Sequence, residues 1–376
     1  MKIRMNNANV QSQVISLLRL PLVFFVLLIH SNFYGVSEAW NAFWGDATIS
    51  SNATLPTVGA FIDFLSNTIA LLANPFFFFI SGLLFFREGT FSRQFYLRKL
   101  QSRVFTLLIP YLLWNLIYLF GLSLVEAMKP GWTAIIDKPI QDFNLTDWLL
   151  AFWDISLIGH QGGKATPVAI QFWFIRDLMV ITLCSPVIYL LHSRLSRLRK
   201  EIPILLFMAL LYASKWVDNV PGISFQGFLF FSFGAYFGVS KQCVATTMRP
   251  LPWVGMFFAI FAHQVGSLNL MYAGLIIFII GMTTRFVDYR LQQNKTTDII
   301  PHFLSDASFF IFAYHALFLG ALLWLFKTNL LVPHTATEAI AIYLFSPILM
   351  LFLGAGIHAL LHRLCPRFLS ILMGGR

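Results

Sequence analysis

The stretch from Val14 to Phe33 reads VISLLRLPLVFFVLLIHSNF and is apolar except for Arg19, His30 and a few small polar side chains. A helix needs about 20 mostly apolar residues to cross the ~30 Å hydrocarbon core of a bilayer, because every backbone amide must be satisfied within the segment. This stretch meets that requirement. It predicts a transmembrane helix near the N-terminus.

The composition extends this prediction to the whole chain. Of the 376 residues, 58% are hydrophobic, 11% are charged and 41 are Phe, and the mean hydropathy is +0.73. A soluble domain carries roughly 25% charged residues, and disordered or nucleic-acid-binding chains carry more. These classes are excluded, and no nucleic-acid partner is expected. The sequence predicts an integral membrane protein whose first partner is the lipid bilayer.

Ten stretches approach the length and apolarity of a membrane span. They predict an all-α, polytopic bundle of about ten transmembrane helices in a single membrane domain over 1–376, with its embedded core at about 14–361. The fifth, sixth and seventh stretches are short and contain glycine or polar residues, which leaves their boundaries open. The ten stretches are 14–33, 64–86, 104–125, 168–191, 202–216, 225–239, 251–266, 268–284, 303–326 and 338–361.

The basic residues predict the orientation of the chain. The formal net charge is +10, and most of the 26 Lys and Arg residues fall in loops on the same side as the N-terminus. The positive-inside rule therefore predicts that both termini are cytoplasmic in a multi-pass protein of a cell membrane. The opposite side holds only Lys129, Lys138, Lys164, Lys215 and Lys327.

The longest region without a predicted span covers about 126–167. It includes Trp148–Asp154 (WLLAFWD), which is too short to cross a bilayer and is rich in the aromatic residues that favour membrane interfaces. We interpret this region as an external cap or a re-entrant segment.

Arg19 and His30 are the most informative ionisable pair, because such groups inside a span tend to face a cavity, a partner or a pathway. Their separation of 11 residues places them on one face of a helix, about 16 Å apart along its axis. Two interpretations stay open. Arg19 could anchor the helix at lipid phosphates while His30 only ends it beside Ser31 and Asn32, or both could serve a site.

Two further groups of polar residues interrupt apolar runs. Arg176 and Asp177 are adjacent, and neighbouring helical side chains point about 100° apart, so we expect each to pair with other helices rather than with the other. A structural ion pair and a functional role both stay open. His315 follows Ser305 and Asp306 in a Phe-rich run and is either a satisfied core histidine or one that lines a cavity.

Two other patterns bear on ligands. The basic loop from Arg87 to Arg103 would attract phosphates, either of lipid headgroups or of a nucleotide-like ligand. The three cysteines, Cys184, Cys243 and Cys365, form no CxxC pair and have no histidine at ligand spacing, so no metal site and no disulfide framework are expected.

Several motifs together resemble the acyltransferase-3 family of membrane acyltransferases, over almost the full chain. Each motif is weak by itself, but their order and positions are fairly specific. They are Arg19-X10-His30, Phe76–Gly82 (FFFFISG), Arg98–Pro110 followed by Tyr111, Trp173–Arg176 (WFIR) and Ser308–His315 (SFFIFAYH).

The resemblance implies an enzyme that moves an acyl group, commonly acetyl, from acyl-coenzyme A to a carbohydrate. The acceptor is expected to be a hydroxyl of a cell-envelope or exported carbohydrate. The resemblance also implies that His30 is the leading catalytic residue and that Arg19 supports it. As general base, a neutral imidazole would remove the hydroxyl proton; as nucleophile, it would carry the acyl group. A stand-alone form without a fused esterase-like domain is expected.

The same resemblance implies where the donor binds. Acyl-coenzyme A is a co-substrate rather than a bound cofactor, and its phosphates are expected to contact Arg98, Lys99 and Arg103 as well as Arg19. The family often has Arg-X2-Arg at the start of the third helix, whereas this chain has Arg103 and then Thr106.

The remaining assignments are less direct. Arg176 and His315 are candidates to stabilise the oxyanion or to orient His30. Two other classes of function stay open: a transporter or flippase for a glycan or lipid-linked intermediate, and a non-catalytic partner in glycan assembly.

Overall fold

The computed structural model describes residues 7–32, 56–88, 91–128, 138–158, 165–195, 197–199, 201–217, 220–297, 299–327 and 335–375. These parts are helical almost throughout. They contain no β-strand, only an isolated bridge between Val220 and Ile223. The predicted all-α fold is confirmed.

Seventeen α-helices follow one another along the described parts of the chain. They are α1 (Asn7–His30), α2 (Pro56–Phe64), α3 (Ala73–Phe85), α4 (Arg93–Arg103), α5 (Ile109–Met128), α6 (Leu145–Ala151), α7 (Trp173–Leu183), α8 (Ser185–Leu195), α9 (Glu201–Ala213), α10 (Phe225–Val239), α11 (Val244–Met248), α12 (Pro252–Gln264), α13 (Leu268–Gln292), α14 (His302–Asp306), α15 (Ser308–Lys327), α16 (Ala336–Leu364) and α17 (Pro366–Leu372).

Five helical stretches in the described parts are long and apolar enough to cross a membrane. Helices α7 and α8 form a pair bent by 60°, which makes a sixth if the two are one span. Shorter apolar helices accompany them at Ile202–Trp216, Phe225–Val239 and Ser308–Leu319. The chain is therefore consistent with a multi-pass membrane protein. The count of ten spans and the cytoplasmic termini stay predictions. The five stretches are Asn9–His30, Val58–Phe85, Arg93–Met128, Leu268–Gln292 and Ala336–Leu364.

Two of these long stretches contain irregular turns. A π-helical turn at Leu65–Ile69 and a 3-10 turn at Ala70–Leu72 join α2 to α3. A second π-helical turn, at Val104–Leu108, joins α4 to α5. Single π turns inside helices occur frequently at functional sites.

Helix α1 is the centre of the bundle and packs against α3, α13, α15 and α16. Its buried face includes Val14, Leu18, Leu22 and Val26, which are spaced four residues apart and so share one side of the helix. Because α1 has neighbours on several sides, the residues at its C-terminal end lie among other helices rather than at the rim of the bundle.

Helices α3 and α10 approach each other closely through glycine. A Cβ atom on Gly82 would lie 1.9 Å from the carbonyl oxygen of Phe231, and one on Gly234 would lie 1.8 Å from that of Phe79. Small residues permit such close contact between helices in membranes, where dispersion contacts replace the hydrophobic effect as the driving force. The two helices therefore form one rigid pair beside α1.

The described part of the predicted cap consists of short elements, namely α6 and 3-10 turns at Ile140–Asp142 and Ile155–Ile158. Asn144 and Asp147 form a reciprocal capping box at the start of α6. Lys138 Nζ lies 2.6 Å from Asp147 Oδ2, and this hydrogen bond holds the pKa of the Asp147 carboxyl below its usual range. The backbone of Val168 donates to Ala151 O at 2.8 Å, which ties α6 to the segment that leads into α7.

Candidate functional site

His30 and His315 meet between α1 and α15. Their ring centroids are 5.0 Å apart and their planes are inclined by 48°. His30 is the last residue of α1 and is half-buried, whereas His315 is fully buried in the third turn of α15. The structure therefore places His315 beside His30.

The hydrogen bonding of His315 determines which ring nitrogen carries its proton. Nδ1 lies 2.6 Å from the carbonyl oxygen of Phe312, and a carbonyl can only accept, so Nδ1 is the protonated nitrogen. Nε2 of a neutral ring is then an acceptor. It is buried and has no hydrogen-bond partner among the described residues. A buried acceptor beside His30 can take a proton from His30 or from a bound hydroxyl.

A second polar group adjoins His315 through the backbone of α15. The amide nitrogen of Gln171 donates to the hydroxyl of Tyr118 at 2.7 Å and to Ala313 O at 2.6 Å. Both side chains are buried in the interior, and Ala313 precedes His315 by two residues. Sequence reasoning missed Tyr118. Its signal is weak, because one tyrosine in an apolar helix is usually an ordinary core residue.

The C-terminal end of α1 is held by α2 and by the π turn that follows α2. Ser66 Oγ donates to the carbonyl of Leu28 at 3.1 Å and shares a 2.8 Å hydrogen bond with the hydroxyl of Tyr343. Asn32 Nδ2 donates to Asp63 Oδ1 at 2.9 Å. The buried Asn32 is thus part of a network that fixes the end of α1, and with it the position of His30.

Arg19 lies on the same helix as His30 but about 16 Å before it along the axis, too far for direct contact. Its side chain is exposed, as are those of Asn9, Ser12 and Ser16. Their spacing of three or four residues makes one polar stripe along the first half of α1. An exposed Arg19 agrees both with an anchor at lipid phosphates and with a residue that serves the site.

The predicted donor-binding residues lie on α4. Arg98 and Lys99 both pair with Glu88, at 3.1 and 3.2 Å, and the Lys99 ammonium sits 5.2 Å from the centroid of the Phe95 ring. Arg103 ends α4 directly before the second π turn and is half-buried. A phosphate that binds Arg98 or Lys99 would therefore compete with one carboxylate.

Thr106, where the family often has a second arginine, is inside that π turn. Its hydroxyl is buried and has no hydrogen-bond partner among the described residues, and a Cβ on Gly374 would lie 2.6 Å from its carbonyl oxygen. The C-terminal α17 packs here as well, because Trp114 Nε1 donates to Leu372 O at 3.2 Å. The end of the chain thus covers this position.

The prediction that Arg176 and Asp177 would not pair with each other is wrong. Arg176 Nε lies 3.0 Å from Asp177 Oδ1, and both side chains are buried. The remaining guanidinium nitrogens donate to the carbonyl of Trp153 and, at 3.2 Å, to that of Ala165. At the first turn of α7, Arg176 can fold back along the helix, so the 100° angle between neighbours does not prevent pairing. These bonds favour a structural role that fastens the predicted cap to α7.

Within the described residues, no three His, Cys, Asp or Glu side chains converge in a way that could hold a metal ion. The ionisable side chains that meet at the described site are the imidazoles of His30 and His315. A neutral imidazole can accept, hold and pass on a proton.

Comparison with known proteins identifies the family of the chain. A family model described as an acyltransferase domain, that of the acyltransferase-3 proteins, matches residues 13–373. The chain belongs to the acyltransferase-3 family. The resemblance drawn from the motifs is confirmed, and the chain is accordingly an acyltransferase whose apolar helices are consistent with a membrane enzyme.

One curated relative aligns along almost the full length. The succinoglycan biosynthesis protein ExoH of Rhizobium meliloti (strain 1021) is 24% identical over 393 residues, covering 98% of this chain and 94% of the relative. No solved structure matches significantly.

Proposed function

We propose that this protein transfers an acyl group, with acetyl as the expected one, from acyl-coenzyme A to a hydroxyl of an exported polysaccharide. The observation that carries the proposal is the buried contact between His30 and His315, which puts imidazole chemistry inside an acyltransferase domain. The name of the relative, a succinoglycan biosynthesis protein, supports a polysaccharide as the acceptor.

The proposed reaction needs one proton to move. The acceptor oxygen attacks the thioester carbonyl carbon, the carbon–sulfur bond breaks, and coenzyme A leaves. The hydroxyl proton passes to the imidazole of His30 and from there to the departing sulfur, so the step balances without an outside acid or base. A two-step route, in which His30 first takes the acyl group as a nucleophile, uses the same residue and stays an alternative.

We assign His315 a positioning role. With its proton committed to Phe312 O, a neutral His315 cannot donate to an oxyanion from Nε2, but it can accept a hydrogen bond from His30. Such a bond would orient the His30 ring and would stabilise the imidazolium that forms when His30 takes a proton. Of the two roles considered for His315, orientation is therefore the one that its hydrogen bonding supports.

Acyl-coenzyme A would approach from the basic side of the protein. Its phosphates are proposed to contact Arg98, Lys99 and Arg103, with Arg19 along the route to His30. The pairing of Arg98 and Lys99 with Glu88 holds both side chains in place and leaves Arg98 largely exposed.

The direct test is release of free thiol from acyl-coenzyme A by the purified protein in the presence of an exported polysaccharide. Wild type and His362→Ala, a control at an exposed histidine, are expected to release thiol and to form a base-labile ester, and His30→Ala is not. A protein that moves glycan across vesicles without any thiol release would favour the transporter alternative instead. Equal thiol release by His30→Ala would remove His30 from the reaction.

A further inference from the structure

A polar cavity of about 270 Å³ lies apart from the contact between the two histidines. Three helices and the connections that precede them form it: the start of α3, the start of α10 and the start of α13. Its size is at the lower end for small-molecule sites, which suits a ligand of about one sugar unit. Its polar lining residues are Asn74, Lys215, Gln226, Ser267, Asn269 and Tyr272.

The cavity is at the same end of the bundle as His30. Asn32, just after His30, binds Asp63, and the neighbouring Phe64 packs its ring 6.3 Å from that of His263 at the end of α12. The connection that follows His263 supplies Ser267 to the cavity wall. The positive-inside distribution predicts that this end faces away from the cytoplasm, where an exported glycan would arrive.

Two of the hydroxyls that line the cavity are buried. Ser267 is 1% exposed and Tyr272 is 2% exposed, and neither hydroxyl has a hydrogen-bond partner among the described residues. Buried polar groups are nearly always paired, so an orphaned pair that lines one cavity points to a ligand with hydrogen-bonding groups of its own.

The amides in the cavity are held in a fixed orientation. Asn269 donates to Ser214 Oγ at 2.6 Å and its oxygen accepts from the amide nitrogen of Gln226. Ser214 in turn donates to the carbonyl of Leu211 at 2.6 Å. Pre-oriented amides and hydroxyls suit a ligand that carries several hydroxyl groups, because each can both donate and accept.

The charge in the cavity is of one sign. Lys215 is exposed at the mouth, with its ammonium 3.9 Å from the ring centroid of Tyr212 and 4.3 Å from that of Trp216. None of the described residues that line the cavity is acidic. A carboxylate on the ligand would therefore meet a cation, and no described carboxylate of the lining would repel it.

We propose that this cavity binds a sugar unit that carries a carboxylate, as an anchoring site for the acceptor glycan separate from the reacting hydroxyl at His30. The proposal rests on the proposed function for its biological meaning. The irregular turns between α2 and α3 connect the cavity to the end of α1. Ser66 contacts α1 near His30, and Leu71, five residues further on, lines the cavity. A chain of sugar units held at the cavity could thus present a neighbouring unit toward α1.

The test measures binding of D-glucuronate and of D-glucose to the purified full-length protein by saturation-transfer NMR. We expect wild type to bind glucuronate in the millimolar range or tighter and glucose at least tenfold more weakly. Lys215→Met should weaken glucuronate binding at least tenfold. Tyr272→Phe, which removes only a hydroxyl, should weaken it about fivefold, the effect of roughly 1 kcal/mol for one hydrogen bond.

His30→Ala serves as the matched control, since it leaves the cavity intact and is expected to bind glucuronate like wild type. Failure of the transfer reaction would show as missing thiol release with glucuronate binding retained, so the two proposals can fail separately. The anchoring proposal is overturned if wild type does not bind glucuronate at 10 mM, or if Lys215→Met binds it unchanged. It is also overturned if glycerol 3-phosphate, as a lipid-headgroup probe, binds in place of glucuronate.

Discussion

At the scale of single residues, the chemistry depends on which nitrogen of His315 carries a proton. The carbonyl of Phe312 fixes the proton on Nδ1, so the nitrogen left over is an acceptor in a fully buried place beside His30. The sequence predicted that His30 and Arg19 share a helix face, and it left His315 between a core role and a cavity role. The contact between His30 and His315 could not be predicted, because it joins residues 285 positions apart through helix packing.

His315→Ala is expected to lower the turnover number about 10²–10⁴-fold while the KM for acyl-coenzyme A stays unchanged, because the partner that orients His30 is lost but donor binding is not. Steady-state kinetics over a range of pH values check this, with His362→Ala as the control. Since a purely structural loss would not respond to a small base, added imidazole should restore part of the His315→Ala activity. Normal turnover by a folded His315→Ala protein would contradict the positioning role.

Arg176 is a charged residue whose contacts hold parts of the protein together. It joins Asp177 and two carbonyls of the segment between α5 and α7, all in a buried setting. Removing one partner of a buried ion pair typically costs about 3–5 kcal/mol, so Arg176→Ala should lower the thermal midpoint of the purified protein by several degrees. Asp177→Asn, which keeps a hydrogen-bond acceptor, should lower it less. Unchanged stability in Arg176→Ala would mean that these bonds do not hold the cap.

At the scale of helices, the close contact of α3 and α10 fixes one side of α1. Gly82→Ala would force a methyl group against the carbonyl of Phe231, so we expect a loss of about 1–3 kcal/mol in the free energy of unfolding. Gly121→Ala on α5 is the matched control, because a Cβ there meets nothing within 4 Å. It should be neutral or stabilising by up to about 1 kcal/mol. Chemical unfolding in detergent measures both, and equal behaviour of the two variants would argue against this packing.

The helices also show where sequence patterns stop being informative. Each of the ten predicted stretches overlaps a helix of the described structure, because a long apolar segment can be recognised directly in the sequence. The π turns at Leu65–Ile69 and Val104–Leu108 were not predicted, nor was the bend of 60° between α7 and α8. Such irregularities depend on the neighbours that satisfy the displaced backbone groups, and local sequence does not identify those neighbours.

At the scale of the whole molecule, the distribution of Lys and Arg predicts cytoplasmic termini and an even number of crossings. Alkaline phosphatase fused after Gly375 should be inactive, whereas the same enzyme inserted next to Lys138 should be active, because it folds only outside the cytoplasm. Activity of the C-terminal fusion would overturn the predicted orientation, and with it the assignment of the cavity to the outer side.

The central claim is that His30 of a membrane acyltransferase forms an ester on an exported polysaccharide. The most direct measurement is the base-labile ester content of whole-cell polysaccharide in a deletion strain complemented with wild type, Arg19→Ala or His30→Ala at matched membrane levels. The account predicts that wild type restores the ester and that His30→Ala does not. Full restoration by His30→Ala, or no ester difference between the deletion strain and its parent, would contradict it.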